Sequence, residues 1–231
     1  MKRYRHLFFD LDHTLWDFRT NSRETLRELV AAHGLVAQGI PDAEAFIGVY
    51  EEINHRLWAE HGAGRMPKEV MRVLRFRSAL QHFGVVDGRL PGRLSEEYLA
   101  RCPLKPALMP GTMELLDAVA GTYRLHIITN GFEEVQHVKL AHSGIADRFD
   151  IVLTSERAGA AKPDAAIFTE ALKRSGAKAA ESLMIGDNAD TDMLGARLAG
   201  WDQAHYHAET DPDLQATHRI AHHDELRRLL A

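Results

Sequence analysis

The chain has 231 residues, 45% of them hydrophobic and 26% charged, with a formal net charge of −5. That length supplies one large domain or a core with an insertion, and the acidic balance argues against a nucleic-acid backbone partner, which needs clustered Lys and Arg. A single cysteine, Cys102, excludes an internal disulfide framework and suits a reducing compartment.

The opening MKRYRH leads straight into a strand rather than into an apolar leader. No stretch approaches the ~20 apolar residues of a membrane helix. The expected setting is therefore the cytoplasm, with neither membrane nor nucleic-acid polymer as partner, for a monomer or homodimer.

The first element, His6 to Phe9, runs apolar and uncharged into Asp10, as a strand buried on both faces ends. Asp10 and Asp12 follow where the strand opens into a loop. At a spacing of two, both carboxylates can face one point in solvent. Taken alone, such a pair is ordinary loop chemistry; the context around it decides.

From about Asn21 the pattern turns helical, with Asn21 and Glu24 resembling a cap and Leu26, Leu29 and Val30 at helical spacing. A second helix is expected through Phe46, Val49, Tyr50, Ile53 and Leu57. A third begins at Pro67, with Val70, Val73, Leu74 and Leu80 on one face. Between Thr20 and Arg101 nothing alternates like a strand, so residues 18–105 read as a helical insertion. The stretch CPLKPALMPG leads back to the core, and Pro110-Gly111 opens a helix through Leu115 and Leu116.

Beyond it, short apolar runs at 125–128, 151–153 and 183–185 alternate with helices. This implies an α/β fold: a doubly wound parallel sheet, Rossmann-like, built from residues 1–17 and 106–231, with an α-helical cap domain inserted after the first strand. In such sheets ligands gather beyond the carboxyl ends of the strands. Here those ends carry Asp10 and Asp12, Thr129-Asn130-Gly131, Ser155-Glu156 with Lys162-Pro163 after it, and Gly186-Asp187 with Asp192.

Each station has a plain structural reading by itself: a strand-to-helix turn at Thr129, a solvated lysine at Lys162, first-turn acids at Asp187 and Asp190. Only the ordered set is informative. Three acids from distant parts of the chain repel one another unless a hard cation lies between them, and Mg2+ keeping several waters is the expected cofactor. Asp10 and Asp187 with the backbone carbonyl of Asp12 would hold it. Carboxylate, metal and lysine together describe phosphoryl transfer. Asp10 is the expected nucleophile and Asp12 the general acid and base. Thr129 and Asn130 are expected at the phosphoryl oxygens, Lys162 as the compact positive charge, and Asp192 one shell out, orienting Lys162 or a metal-bound water.

With those residues identified, the chain resembles the haloacid dehalogenase-like superfamily in its phosphatase branch. The motifs are DLDHT at Asp10–Thr14, ITN at Ile128–Asn130, the lysine of GAAKPD and GDNADTD at Gly186–Asp192. The stretches TNGFEEVQHVKLAHSG and SERAGAAKPDAAIF are similar to pyrimidine 5′-nucleotidases of that superfamily. The resemblance implies a small phosphorylated substrate, a nucleoside 5′-monophosphate, with sugar phosphates or phosphoglycolate as the alternative. Dehalogenases lack the second acid, so Asp12 favours a phosphoester. His13 departs from the Gly, Glu or Asn that phosphatases of this kind often carry.

Trp16 and Phe18, just past the catalytic loop, are the expected base-stacking pair. The 14 histidines, among them His205, His207, His218, His222 and His223, show no zinc spacing and read as packing or surface residues. Two other classes fit parts of the pattern. A phospho-aspartate receiver shares the acid cluster but carries its acceptor on a middle strand and no helical insertion. A silent metabolite-binding protein would have no need of the intact acid and base residues.

Overall fold

The computed structural model describes residues 4–207 and 215–231. At its centre is β1 (His6–Phe9), whose four residues are all buried. With β2 (Arg124–Thr129), β3 (Ile151–Thr154), β4 (Ser182–Gly186), β5 (Asp202–Tyr206) and β6 (His218–Ile220) it forms a six-stranded sheet in the order β3-β2-β1-β4-β5-β6. Every pairing is parallel: Phe8 lies opposite His126 on one side and Met184 on the other. The α/β parallel sheet expected from the sequence is the observed fold, and every strand delivers its carboxyl end to the same edge.

The outer strands β5 and β6 were not anticipated. The run Asp202–Tyr206 reads DQAHY, polar by composition, yet residues 203–206 are buried. His205, expected at a surface or in packing, sits in β5 and donates from Nε2 to the Asp187 carbonyl at 2.9 Å. Burial in a parallel sheet is a tertiary fact that residue type only partly announces.

Helices make up most of the rest of the described chain. In chain order they are α1 (Phe18–Ala32), α2 (Ala43–Gly62), α3 (Lys68–His82), α4 (Leu90–Arg101), α5 (Thr112–Val119), α6 (Glu133–His142), α7 (Ser155–Ala158), α8 (Ala165–Ser175), α9 (Leu194–Leu198) and α10 (His223–Leu230). Phe8, Ile128, Leu153, Ile167, Phe168, Met184 and Trp201 fill one core layer. The Phe8 and Trp201 rings lie 4.6 Å apart.

The chain divides into two compact units, Arg19–Lys105 and the remainder up to Phe18 and from Pro106 onward. The helices of Arg19–Lys105 depart in detail from the sequence reading. α1 begins at Phe18, so Asn21 is no cap; it lies buried inside the helix. α2 does have its cap, the Asp42 carboxylate accepting from Ala45 N at 2.8 Å. α3 buries Met71, Arg75, Phe76, Ala79 and Leu80, whereas Val70 is 51% exposed. The apolar face is rotated from the expected one because the Arg75 guanidinium is drawn inward. It stands 4.8 Å from the Tyr98 ring centroid and 5.6 Å from that of Tyr50, and donates to Asn54 Oδ1 at 3.1 Å. α4 was missed, although Leu90, Leu94 and Tyr98 repeat every four residues; Pro91-Gly92 masks a helix whose first turn tolerates proline.

Candidate active site

Asp10 leaves β1 still tied to the sheet, its N–H donating to the Ile185 carbonyl at 2.8 Å. The chain then doubles back. Leu15 and Trp16 N–H both donate to the Leu11 carbonyl, at 3.0 and 2.9 Å, and His13 N–H donates to the Trp16 carbonyl at 3.0 Å. His13 adopts φ 62°, a left-handed conformation that Gly or Asn takes more readily. That turn brings Asp12 back over the strand end and leaves His13 exposed, its ring 5.1 Å from Phe18.

On the far side of the same edge Lys162 reaches in. Its Nζ donates to Asp10 Oδ1 at 2.6 Å, Asp192 Oδ1 at 2.5 Å and the Ile128 carbonyl at 2.9 Å, and its side chain is 2% exposed. The segment carrying it is clasped by Asn130, which donates from Nδ2 to the Lys162 carbonyl at 2.9 Å and accepts the Lys162 N–H at 2.8 Å. Both polar atoms of Asn130 are thus engaged with protein. It holds the lysine segment in place, a positioning role the sequence did not announce.

Asp192 comes from a π-helical turn, Ala189–Met193, opened by Asn188, whose Oδ1 accepts the N–H groups of Asp190 and Thr191 at 3.0 Å. Gly186 is required beside it. A Cβ there would come within 2.2 Å of Asp192 Oδ2. Asp187, next in the chain, accepts the Thr14 hydroxyl at its carboxylate at 3.3 Å.

The electrostatics follow from this packing. Burial pushes the Asp10 carboxyl up to about 7, offset in part by the Lys162 ammonium. Burial, followed by repulsion from Asp10, pushes Asp187 up to about 6. Burial likewise raises Asp192. Burial works to lower Lys162, but Asp10 and Asp192 hold it above the usual lysine range. One ammonium faces three carboxylates.

Asp10, Asp187 and Asp192 each place a ligand oxygen within 4.8 Å of the others. A donor set made only of carboxylate oxygens, with more negative charge than its lysine neutralises, fits a hard divalent cation. Asp192 stands closer to that point than sequence spacing suggested, while its Oδ1 also holds Lys162.

Asp12 is governed from α6, and here the sequence reading missed the partners. Lys139 Nζ donates to Asp12 Oδ1 at 2.6 Å, and Gln136 Nε2 to Asp12 Oδ2 at 3.0 Å. Burial would raise the Asp12 carboxyl, but Lys139, followed by Gln136, holds it below the usual carboxylate range. Gln136 also donates to Thr129 Oγ1 at 2.7 Å, and Gly131 N–H donates to the same oxygen at 3.1 Å. With those acceptor positions used, the Thr129 hydroxyl still has its proton to give. Two polar residues three apart within a helix that must bury one face were the available signal.

Of the expected stacking pair, Trp16 is taken up in packing. Trp16 is fully buried, with the Lys139 ammonium 4.5 Å from its ring centroid, so it presents no face to a base. Phe18 is half-buried, and the same ammonium stands 5.5 Å from its ring.

Comparison with known proteins bears on this geometry. Residues 4–200 match the family model described as haloacid dehalogenase-like hydrolase. The pyrimidine 5′-nucleotidase YjjG of Escherichia coli K12 is 32% identical over 97% of this chain and 96% of its own length. The pyrimidine 5′-nucleotidase PynA of Streptococcus pneumoniae R6 is 31% identical over 96% of this chain and 93% of its own. The magnesium-bound crystal structure of the HAD-hydrolase YfnB from Bacillus subtilis superposes with a TM-score of 0.88 at 29% identity, covering 99% of each chain.

Proposed function

The chain belongs to the haloacid dehalogenase-like hydrolases, and from that premise we propose that it is a magnesium-dependent phosphomonoesterase acting on a nucleoside 5′-monophosphate. The observation that carries the proposal is Lys162 lying between Asp10 and Asp192 in a buried, over-acidic site at the carboxyl ends of β1 and β4. The nucleotide is favoured because full-length relatives are named pyrimidine 5′-nucleotidases.

Asp10 attacks phosphorus to give an aspartyl phosphate, and the phosphorus–ester oxygen bond breaks with its electron pair going to the oxygen. Asp12, which must first take up a proton against the pull of Lys139, gives that proton to the oxygen and then takes one from the water that hydrolyses the acyl phosphate. The Thr129 hydroxyl offers its proton to the phosphoryl oxygens, the Lys162 ammonium, bonded to Asp10, Asp192 and the Ile128 carbonyl, offsets their charge, and Asn130 keeps Lys162 in place. Asp10, Asp187 and the Asp12 backbone carbonyl would hold Mg2+, with Asp192 behind them. When bound, the ion neutralises phosphate charge and orients the group for in-line attack. Arg19–Lys105 acts as the cap that selects the substrate. A single buried cysteine, Cys102, suits a cytoplasmic enzyme.

The test is phosphate release from uridine 5′-monophosphate with magnesium, with EDTA, and in Asp10→Asn. Turnover is expected to vanish in the last two. Full turnover by Asp10→Asn removes Asp10 as nucleophile, and equal rates across nucleoside monophosphates and sugar phosphates remove the nucleotide preference.

A further inference from the structure

We propose that Lys139 and Gln136, three residues apart on one face of α6, are positioning residues that aim the Asp12 carboxyl at the leaving-group oxygen. The proposal rests on the phosphatase reading above.

Three observations carry it. First, each oxygen of Asp12 has its own donor from one helix, Lys139 on Oδ1 at 2.6 Å and Gln136 on Oδ2 at 3.0 Å. A carboxylate gripped at both oxygens has lost its freedom to rotate. Each oxygen keeps a further lone-pair position, through which a proton can pass.

Second, the donors are themselves immobilised. Lys139 is 4% exposed, its ammonium 4.5 Å from the Trp16 ring centroid and 5.5 Å from that of Phe18. Gln136 is fully buried, and the same Nε2 that holds Asp12 reaches Thr129 Oγ1 at 2.7 Å. One amide therefore sets the distance between the acid and the phosphate-facing hydroxyl.

Third, the backbone makes room for this arrangement. A Cβ on Gly131 would lie 1.9 Å from Gln136 Nε2.

The role has a chemical signature. In the first half-reaction the bond from Asp10 to phosphorus forms as the phosphorus–ester oxygen bond breaks. An alkoxide leaving group needs the Asp12 proton. An aryloxide such as p-nitrophenolate departs with the electron pair and no proton. Loss of aim should therefore tell on one ester and spare the other, and kcat/KM reports that first step.

The experiment compares kcat/KM for uridine 5′-monophosphate and p-nitrophenyl phosphate in the wild type, Lys139→Met, Gln136→Leu and Lys139→Arg, with magnesium. General acid catalysis supplies about 10²- to 10⁴-fold, so misaiming in Lys139→Met should cut the nucleotide kcat/KM by about 10- to 100-fold with the aryl ester little changed. Gln136→Leu should shift the same ratio less, and Lys139→Arg should recover part of the loss. Parallel losses on both esters, or an unchanged nucleotide rate in both Lys139→Met and Gln136→Leu, overturn the assignment while leaving the phosphatase reading standing. A wild type inert on both esters overturns the phosphatase reading and this inference with it.

Discussion

Removing the Lys162 charge should destabilise the metal-free protein and do so most at high pH. Lys162→Met leaves Asp10 and Asp192, 8% and 1% exposed, without the ammonium now 2.6 and 2.5 Å from their oxygens. Losing one partner of a buried ion pair costs about 3–5 kcal/mol, in line with about 4 kcal/mol for unit charges 4 Å apart in an effective dielectric of 20. At about 2–4 °C per kcal/mol for a chain of this size, Tm should fall by about 6–20 °C. The pH dependence has a definite sign. Burial already holds Asp10 at about 7 with the lysine present, and removing the cation moves it further up. A carboxyl raised in the folded state favours folding while protonated, and its contribution is lost as pH rises through that folded value. The deficit of Lys162→Met should therefore be small at pH 5 and larger at pH 8.5. The assay is thermal unfolding in EDTA at both values, with phosphate release measured in parallel; turnover should drop by about 10²-fold or more. Equal Tm for variant and wild type at pH 8.5 would refute the idea that Lys162 balances the acid cluster.

Gly186→Ala should drive Asp192 off Lys162, since the new Cβ would lie 2.2 Å from Asp192 Oδ2; overpacking of this kind costs about 1–3 kcal/mol, visible as a lower urea midpoint with reduced kcat, and an unchanged kcat contradicts the placement. His126 is fully buried and lowered to about 4, first by burial and then by His6, 3.0 Å away. A histidine lowered in the folded state stabilises fully above its unfolded value near 6.5, and that share, about 3 kcal/mol, is lost as pH falls toward 4. Wild type should thus lose more Tm between pH 7.5 and 4.5 than His126→Phe, and parallel curves would count against it. Trp16 is packed rather than presented. Trp16→Ala should cost about 3–5 kcal/mol in chemical denaturation, whereas Trp16→Phe should leave KM for the nucleotide unchanged; a large KM rise in the latter restores the stacking role.

Local pattern was enough to place Asp10, Thr129 and Asp187 at or just past strand ends, because an apolar run that stops at a polar residue marks where a buried strand meets solvent. The parallel order of the strands followed from their alternation with helices, and from it the sharing of one edge. β5 was not legible, since Gln203 and His205 are polar residues buried by their neighbours. Nor was the inward turn of Arg75, which depends on rings from α2 and α4 meeting it.

What the amino-acid order determined unaided was the identity and sequence of the chemical groups along the sheet edge, since each depends on residues a few positions away. What only the tertiary structure decided was who holds whom. Asn130 clasps the Lys162 backbone, Lys139 and Gln136 grip Asp12, and Trp16 lies beneath an ammonium. Those pairings join residues 32 to 127 positions apart. They exist because folding buried the charges together and left each one needing a partner, which no local spacing encodes.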